Sequence, residues 1–320
     1  MNDTPKNTKA AFLFPGQGAQ HVGMGKDLYE AFPAARRVFD LAENITGKPL
    51  KKLCFDGPED QLANTEVCQP AIFTVSAAAL AVMDELLGPQ KLQALRPSHL
   101  AGLSLGEYTA LYAAESMDFQ TALKLVACRG QLMQQAALAV PGGMVSVLGL
   151  DEAKAQELCR AAANGRVLSC ANFNCPGQVV LSGEIDACRR VEQLAKDFGA
   201  SGVVPLKVAG AYHSGLMAAA AEKLAEALAK VEFRAPKAMV ISNVDAKASA
   251  SGDEIRRKLL QQLTSPVRWQ QSMENVLAQG VADFLEIGPG KVLAGLMRRI
   301  DRNARVTCVN SREAIEKLAQ

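Results

Sequence analysis

Leu100-Ala101-Gly102-Leu103-Ser104-Leu105-Gly106-Glu107 is the stretch on which the reading of this chain turns. An apolar run enters Gly-x-Ser-x-Gly, and a helix-like segment follows from Glu107 to Met117. The order is strand, sharp turn, helix. Glycines let the backbone turn where a Cβ would clash, and the turn raises the serine hydroxyl clear of the sheet. A serine so placed stands at the positive end of a helix, where backbone N–H groups can face a developing oxyanion. The same small residues also suit an ordinary packed turn, so the rest of the chain has to decide.

The 320 residues suffice for one large domain with an insertion, or for two domains. With 49% hydrophobic and 21% charged residues the composition is that of a globular protein. A net charge of +2 is too small to mark a nucleic-acid or membrane surface. No apolar run reads as long enough for a membrane span. The polar start, Met1 to Lys9, lacks the apolar core of a secretory signal. The eight cysteines include no Cys-x-x-Cys and no Cys/His cluster at zinc spacing. They read as reduced core residues of a cytoplasmic protein.

Outward from the serine turn, Ala10 to Phe14 reads as a buried strand ending at Pro15. The loop Gly16 to Gln20 has little side-chain bulk, which lets its N–H groups approach a ligand. It is no dinucleotide fingerprint, since His21 stands where the third glycine belongs. Helical spacing covers Tyr29 to Thr46, Pro70 to Leu87 and Phe119 to Leu138.

From Met144 the rhythm changes. Strands are expected at Met144 to Leu150, Val167 to Ala171, Gln178 to Leu181 and Gly202 to Lys207, with helices up to Ala163 and over Glu184 to Phe198. That β-α-β-β-α-β order is a ferredoxin-like unit. The expected architecture is therefore an α/β large domain, residues 1–140 and 208–320, with 141–207 as an inserted small domain. Further on, helices are expected at Leu216 to Lys230, Glu254 to Gln262 and Trp269 to Gln279, and strands at Ala238 to Ser242 and Phe284 to Ile287. Gly288-Pro289-Gly290-Lys291 is no phosphate loop, because Leu285 and Val292 occupy the glycine and Ser/Thr positions that one requires.

A serine nucleophile needs a base within hydrogen-bond reach. His99 lies on the strand entering the turn, roughly 16 Å from Ser104 at about 3.3 Å per residue, and reads as structural. Between the other two histidines, His213 is favoured over His21. It falls between the inserted unit and a helix, where a cleft would form. No acid presents itself as a third member: Asp283 and Glu286 flank a late strand, and Asp245 lies in a loop. A backbone carbonyl accepting from the imidazole would serve instead. Arg129, in a stretch rich in Leu, Val, Ala and Met, reads either as a structural ion-pair partner or as a bidentate seat for a carboxylate.

Seven segments in order resemble one family along nearly the whole chain. They are Phe14-Pro15-Gly16-Gln17-Gly18, Gly102-Leu103-Ser104-Leu105-Gly106-Glu107, Cys128-Arg129-Gly130, Asn174-Cys175-Pro176-Gly177-Gln178, Gly210-Ala211-Tyr212-His213-Ser214, Ser265-Pro266-Val267-Arg268-Trp269 and Gly288-Pro289-Gly290-Lys291-Val292-Leu293. The family is the malonyl-CoA:acyl-carrier-protein transacylases of fatty-acid biosynthesis. The resemblance implies an α/β-hydrolase-like large domain with a parallel-sheet core and a ferredoxin-like (βαββαβ) insertion. It implies Ser104 as nucleophile, His213 as base, and the N–H groups of Gln17 and Leu105 as oxyanion hole. Arg129 would bind the malonyl carboxylate, and Asn174 matches a position near the site.

Gln262 would offer its main-chain carbonyl to His213, so that Gln262→Ala is expected to be mild. The implied partners are malonyl-CoA or coenzyme A and an acyl carrier protein, with no metal or cofactor, no nucleic acid, no membrane, and a monomeric chain. An acyltransferase serving a polyketide synthase, a serine thioesterase on the same framework and an inactive carrier-binding module are the alternatives. Two positions depart from the family pattern: Leu103 where histidine is frequent, and Tyr212 where phenylalanine is frequent.

Overall fold

The computed structural model describes residues 10–320. The polar start Met1 to Lys9 therefore lies outside the described residues. The described residues form nine strands: Ala10–Phe14 (β1), His99–Gly102 (β2), Gly142–Leu148 (β3), Leu168–Cys175 (β4), Gln178–Glu184 (β5), Gly202–Pro205 (β6), Met239–Ile241 (β7), Asp283–Ile287 (β8) and Arg305–Val309 (β9). Five make a parallel sheet in the order β7-β2-β1-β8-β9. Every residue of β1 and β2 is buried, as befits central strands covered on both faces. The other four make an antiparallel sheet, β4-β5-β3-β6, with the helices Glu152–Ala163 and Ile185–Leu194 packed on it. Leu158, Leu181 and Val191 close a small core of their own there. This is the ferredoxin-like unit that the sequence rhythm indicated.

Several elements differ from the sequence reading. The helix expected over Tyr29 to Thr46 is two helices, Lys26–Ala31 and Pro33–Thr46. Phe32 between them is extended (φ −120°, ψ 127°), because a residue before proline is pushed out of the helical region. The helix expected from Pro70 runs over Thr65–Ala94 and bends at Gly88, whose φ of 67° no helix accommodates. Its segment Thr65–Gly88 has 24 residues and contains an 18-residue window of mean hydropathy 1.6, so by length and composition it is apolar enough to cross a bilayer, contrary to the reading above. In the fold 67% of that apolar window is buried inside the protein, and Ile72, Phe73 and Ala78 are wholly enclosed in the main core. The edge strand β9 and the helix Arg312–Ala319 went unread, since β9 is short, half-exposed and polar at alternate positions.

β4 also continues past Ala171 to Cys175, through two register irregularities. Beyond the first of these, Phe173 N–H donates to the Val267 carbonyl at 2.9 Å and Val267 N–H to the Ala171 carbonyl at 2.8 Å. That bridge ties the antiparallel sheet to the Ser265-Pro266-Val267 segment of the large unit and sets Asn174 on a strand beside the site.

β1 and β2 run side by side with Phe14 opposite Gly102. The loop carrying Gln17 and the turn carrying Ser104 therefore leave the sheet together at its carboxyl edge, where open α/β sheets bind ligands. The two glycines of the turn are sterically required. A Cβ on Gly106 would lie 2.1 Å from the Phe14 carbonyl oxygen, and one on Gly102 would lie 1.9 Å from the Gly106 carbonyl carbon. Both obstacles are backbone, so relief means moving a strand. Gly106→Ala should destabilise the protein by about 1–3 kcal/mol, the usual cost of overpacking. Urea denaturation checks this, and unchanged stability would mean that the turn has slack.

Candidate active site

Ser104 sits at the tip of the turn with φ 54°, a left-handed backbone that a residue bearing a Cβ adopts only under constraint. The constraint is an amide side chain. Asn243, just after β7, accepts from the Ser104 N–H at 2.6 Å and donates from Nδ2 to the Gly102 carbonyl at 2.8 Å. The helix Gly106–Ala113 follows, with Leu105 as its N-cap residue.

Ser104 Oγ is 2.8 Å from His213 Nε2. His213 Nδ1 is 2.8 Å from the main-chain carbonyl of Gln262. A carbonyl only accepts, so Nδ1 carries the proton and Nε2 presents its lone pair to the serine. His213 is itself held in a left-handed conformation (φ 57°), within the turn that Ser214 closes by donating from Oγ to the Ala211 carbonyl at 2.7 Å. The family resemblance led to this serine–histidine–carbonyl chain, and the fold assembles it from three distant segments.

Arg129 lies on the buried face of the helix Phe119–Ala139, fully enclosed. Its Nη2 donates to Ser104 Oγ at 2.9 Å and to Gln262 Oε1 at 3.0 Å, and its Nη1 to Gln69 Oε1 at 2.8 Å. The guanidinium lies over the Tyr108 ring, 5.5 Å from its centroid. Its Nε is buried with no hydrogen-bond partner. Of the two readings of Arg129, an ion pair within the protein fails: no carboxylate of the described residues lies within ion-pair distance.

A cavity of about 210 Å³ opens on Ser104 and His213 and is also lined by Gln17, Asn174, Met133 and Tyr212. Arg129 stands behind Ser104 rather than in this wall. Asn174 presents a buried Oδ1 with no partner. Gln17 is fixed by Nε2 donating to Thr65 Oγ1 at 3.2 Å, and the Tyr212 hydroxyl meets the same Thr65 oxygen at 2.5 Å. His21 is exposed and bonds within its own loop, to the Ala19 carbonyl at 3.3 Å. His99 is buried between Ser98 Oγ at 2.9 Å and Gln279 Oε1 at 3.1 Å. Neither lines the cavity.

Residues 11–314 match the acyl transferase domain family. The chain belongs to that family. It is 42% identical to the malonyl CoA-acyl carrier protein transacylase of Bacillus subtilis, over 98% of this chain and 97% of the relative. Identity to the enzyme of the same name from Escherichia coli K12 is also 42%, over 96% and 98%. Among solved structures, the acyl carrier protein S-malonyltransferase of Vibrio cholerae superposes with a TM-score of 0.90 at 43% identity, covering 97% of this chain and 100% of that one. A malonyl-transacylase solved in complex with its type II PKS acyl-carrier protein gives 0.91 at 41% identity, covering 98% and 99%.

The electrostatics of this acyl transferase turn on burial. Desolvation, followed by the nearby Arg129 charge, pushes His213 down to about 4 from the usual 6.5. The imidazole is thus neutral, and able to take a proton, well below pH 6.5. Burial drives Glu107 the other way, up to about 7, against N–H and hydroxyl donors and the charge of Lys258. Glu107 Oε2 accepts from Asn243 N–H at 3.0 Å and from Gln262 Nε2 at 2.7 Å.

The Gln262 side chain corrects the expectation drawn for it. Besides Arg129 and Glu107 it reaches the Ser104 carbonyl at 3.0 Å, so it is as engaged as its main chain. Asn243, Gln69 and Thr65 were also missed. Each is a neutral side chain far in sequence from Ser104, with no motif to single it out.

Two outcomes follow from this geometry. Proton transfer from Ser104 needs neutral His213, whose lowered value moves the acid limb toward pH 4. The kcat/KM for acylation should stay level from pH 7 down to 5.5, as read from pre-steady-state acylation. A half-loss near pH 6.5 would mean that the imidazole is not desolvated. Gln262→Ala leaves a buried cation and a buried carboxyl each short of a partner and should cost at least about 2 kcal/mol of stability, at about 1–3 kcal/mol per orphaned group. A variant with wild-type urea stability and activity would show that the main chain alone suffices.

Proposed function

We propose that this chain is a malonyl-CoA:acyl-carrier-protein transacylase of fatty-acid biosynthesis, working by ping-pong transfer through an ester on Ser104. The observation that carries the reading is the Arg129 Nη2 contact of 2.9 Å to the same Oγ that faces His213. A buried cation at the nucleophile suits an acyl group bearing a carboxylate and is out of place for a neutral one. The relatives named above are transferases, which supports transfer over the hydrolysis that a thioesterase would perform.

Ser104 Oγ attacks the thioester carbonyl while His213 Nε2 takes its proton. The tetrahedral oxyanion is assigned to the N–H groups of Gln17 and Leu105, one from each loop leaving the sheet edge. As the C–S bond breaks, His213 returns the proton to coenzyme A. The thiol of the carrier protein's phosphopantetheine then attacks the ester by the same steps in reverse. No step calls on a metal or redox group.

Once malonyl is esterified to Oγ, its carboxylate is two carbons from the ester oxygen and within reach of Arg129, whose buried Nε has no partner in the protein and is left to donate to it. Asn174, with its orphaned Oδ1 on the cavity wall, is assigned to substrate binding. The Tyr212 ring, tethered to Thr65, leaves little room for a branch at the acyl C2. Residues 1–140 and 208–320 form the catalytic unit in this reading, and 141–207 is the insertion that supplies Asn174.

Intact mass measurement after mixing with malonyl-CoA should detect a malonyl adduct that carrier protein removes, and Ser104→Ala should abolish it. Arg129→Ala should cost about 2–5 kcal/mol of malonyl recognition, the range for removing one partner of a buried charge pair. Acetyl transfer should hold or rise in that variant. Equal losses in kcat/KM for malonyl- and acetyl-CoA would make Arg129 structural and remove the basis of the malonyl assignment.

A further inference from the structure

Arg129 is a buried cation with no carboxylate in contact, yet its charge is not unanswered. Gln262 Oε1 accepts from Arg129 at 3.0 Å, and Gln262 Nε2 donates to Glu107 Oε2 at 2.7 Å. One side-chain amide thus bridges cation and carboxyl, its dipole aligned with both. Glu107 is 3% exposed and Gln262 is fully enclosed, so water screens neither. We propose that Glu107 is the resting counter-ion of Arg129, reached through the Gln262 amide, and that a malonyl carboxylate arriving at Arg129 is accompanied by a proton taken up at Glu107. The proposal rests on the reading of Arg129 as the carboxylate seat and adds a role for Glu107 to it.

The charge balance is simple. The resting site holds one cation and one carboxylate along this bridge. Malonyl adds a second carboxylate, and one guanidinium cannot neutralise both in an enclosed site. The anion that stays is the one in direct contact with Arg129, so the more distant Glu107 takes the proton. The other groups around Glu107 do not compensate. Lys258, on the helix Gly252–Gln262, is already 2.8 Å from Glu254 and 3.0 Å from Asp245. Tyr108, on the helix of Glu107 itself, is held in its neutral form by burial. His213 is neutral for the reason given above. The Ser242 hydroxyl beside Glu107 can accept from the added proton. Burial already raises the carboxyl to about 7, so a carboxylate present above that pH needs only a modest push to take the proton.

The test is calorimetric binding to Ser104→Ala, which cannot be acylated, in buffers of different ionisation enthalpy. Acetyl-CoA serves as reference because its coenzyme A titrates identically. At pH 8 malonyl-CoA should take up most of one proton more than acetyl-CoA, and its affinity should fall by up to about tenfold per pH unit above 7. Adding Glu107→Gln should remove the excess proton and the slope while malonyl-CoA still binds. Equal proton counts for the two ligands, or an undiminished excess in Glu107→Gln, overturn the proposal. Should that double variant not fold, the malonyl-minus-acetyl proton difference in Ser104→Ala decides alone. A separate outcome tests the underlying reading. If Arg129→Ala in the Ser104→Ala background binds malonyl-CoA undiminished, the carboxylate seat itself is wrong.

Discussion

The left-handed backbone at Ser104 is the constraint on which the rest of the structure depends. Such a conformation costs roughly 1–2 kcal/mol for a residue bearing a Cβ, and it persists only where surrounding contacts over-determine it. Here the glycines on either side remove the clash, and the Asn243 amide bridges the Ser104 N–H and the Gly102 carbonyl. Gln262 adds a bond to the Ser104 carbonyl. The strain lifts Oγ off the sheet and into contact with His213 and Arg129 at once.

Holding a histidine and an arginine against one oxygen sets up an electrostatic conflict, and enclosure resolves it. A charged imidazole beside the guanidinium would be repelled, so His213 stays neutral and keeps a lone pair for the serine proton. A carbonyl, not an acid, orients it, which avoids a further buried charge next to Ser104. Gln262 supplies that carbonyl from its main chain and ties Arg129 to Glu107 with its side chain. One residue therefore couples the imidazole, the cation and the buried carboxyl, and the three should respond together when it changes.

Some of this was readable from residues alone. The strand–Gly-x-Ser-x-Gly–helix order is legible locally, because glycines flank the serine where the backbone must turn sharply, whereas the Phe14 carbonyl that forbids a Cβ on Gly106 comes from a distant strand. The insertion announced itself through a change in apolar period near Met144. The helix interruptions at Pro33 and Gly88 depend on single-residue sterics that a periodicity reading averages away. The strand β9 carries too little apolar pattern to stand out.

Sequence by itself determined the serine turn, the parallel sheet that presents it, the ferredoxin-like insertion and, through ordered motifs, His213 and Arg129 as its companions. Those features rest on short-range sterics and on patterns that survive without knowledge of what lies opposite. Only the tertiary structure decided that Arg129 has no carboxylate in contact, that Asn243 and the Gln262 side chain hold the turn, and that Glu107 sits at the far end of a buried amide bridge. Those depend on segments more than a hundred residues apart meeting in a space without water. There a neutral amide in the right place outweighs a charge in the wrong one, and no spacing along the chain records it.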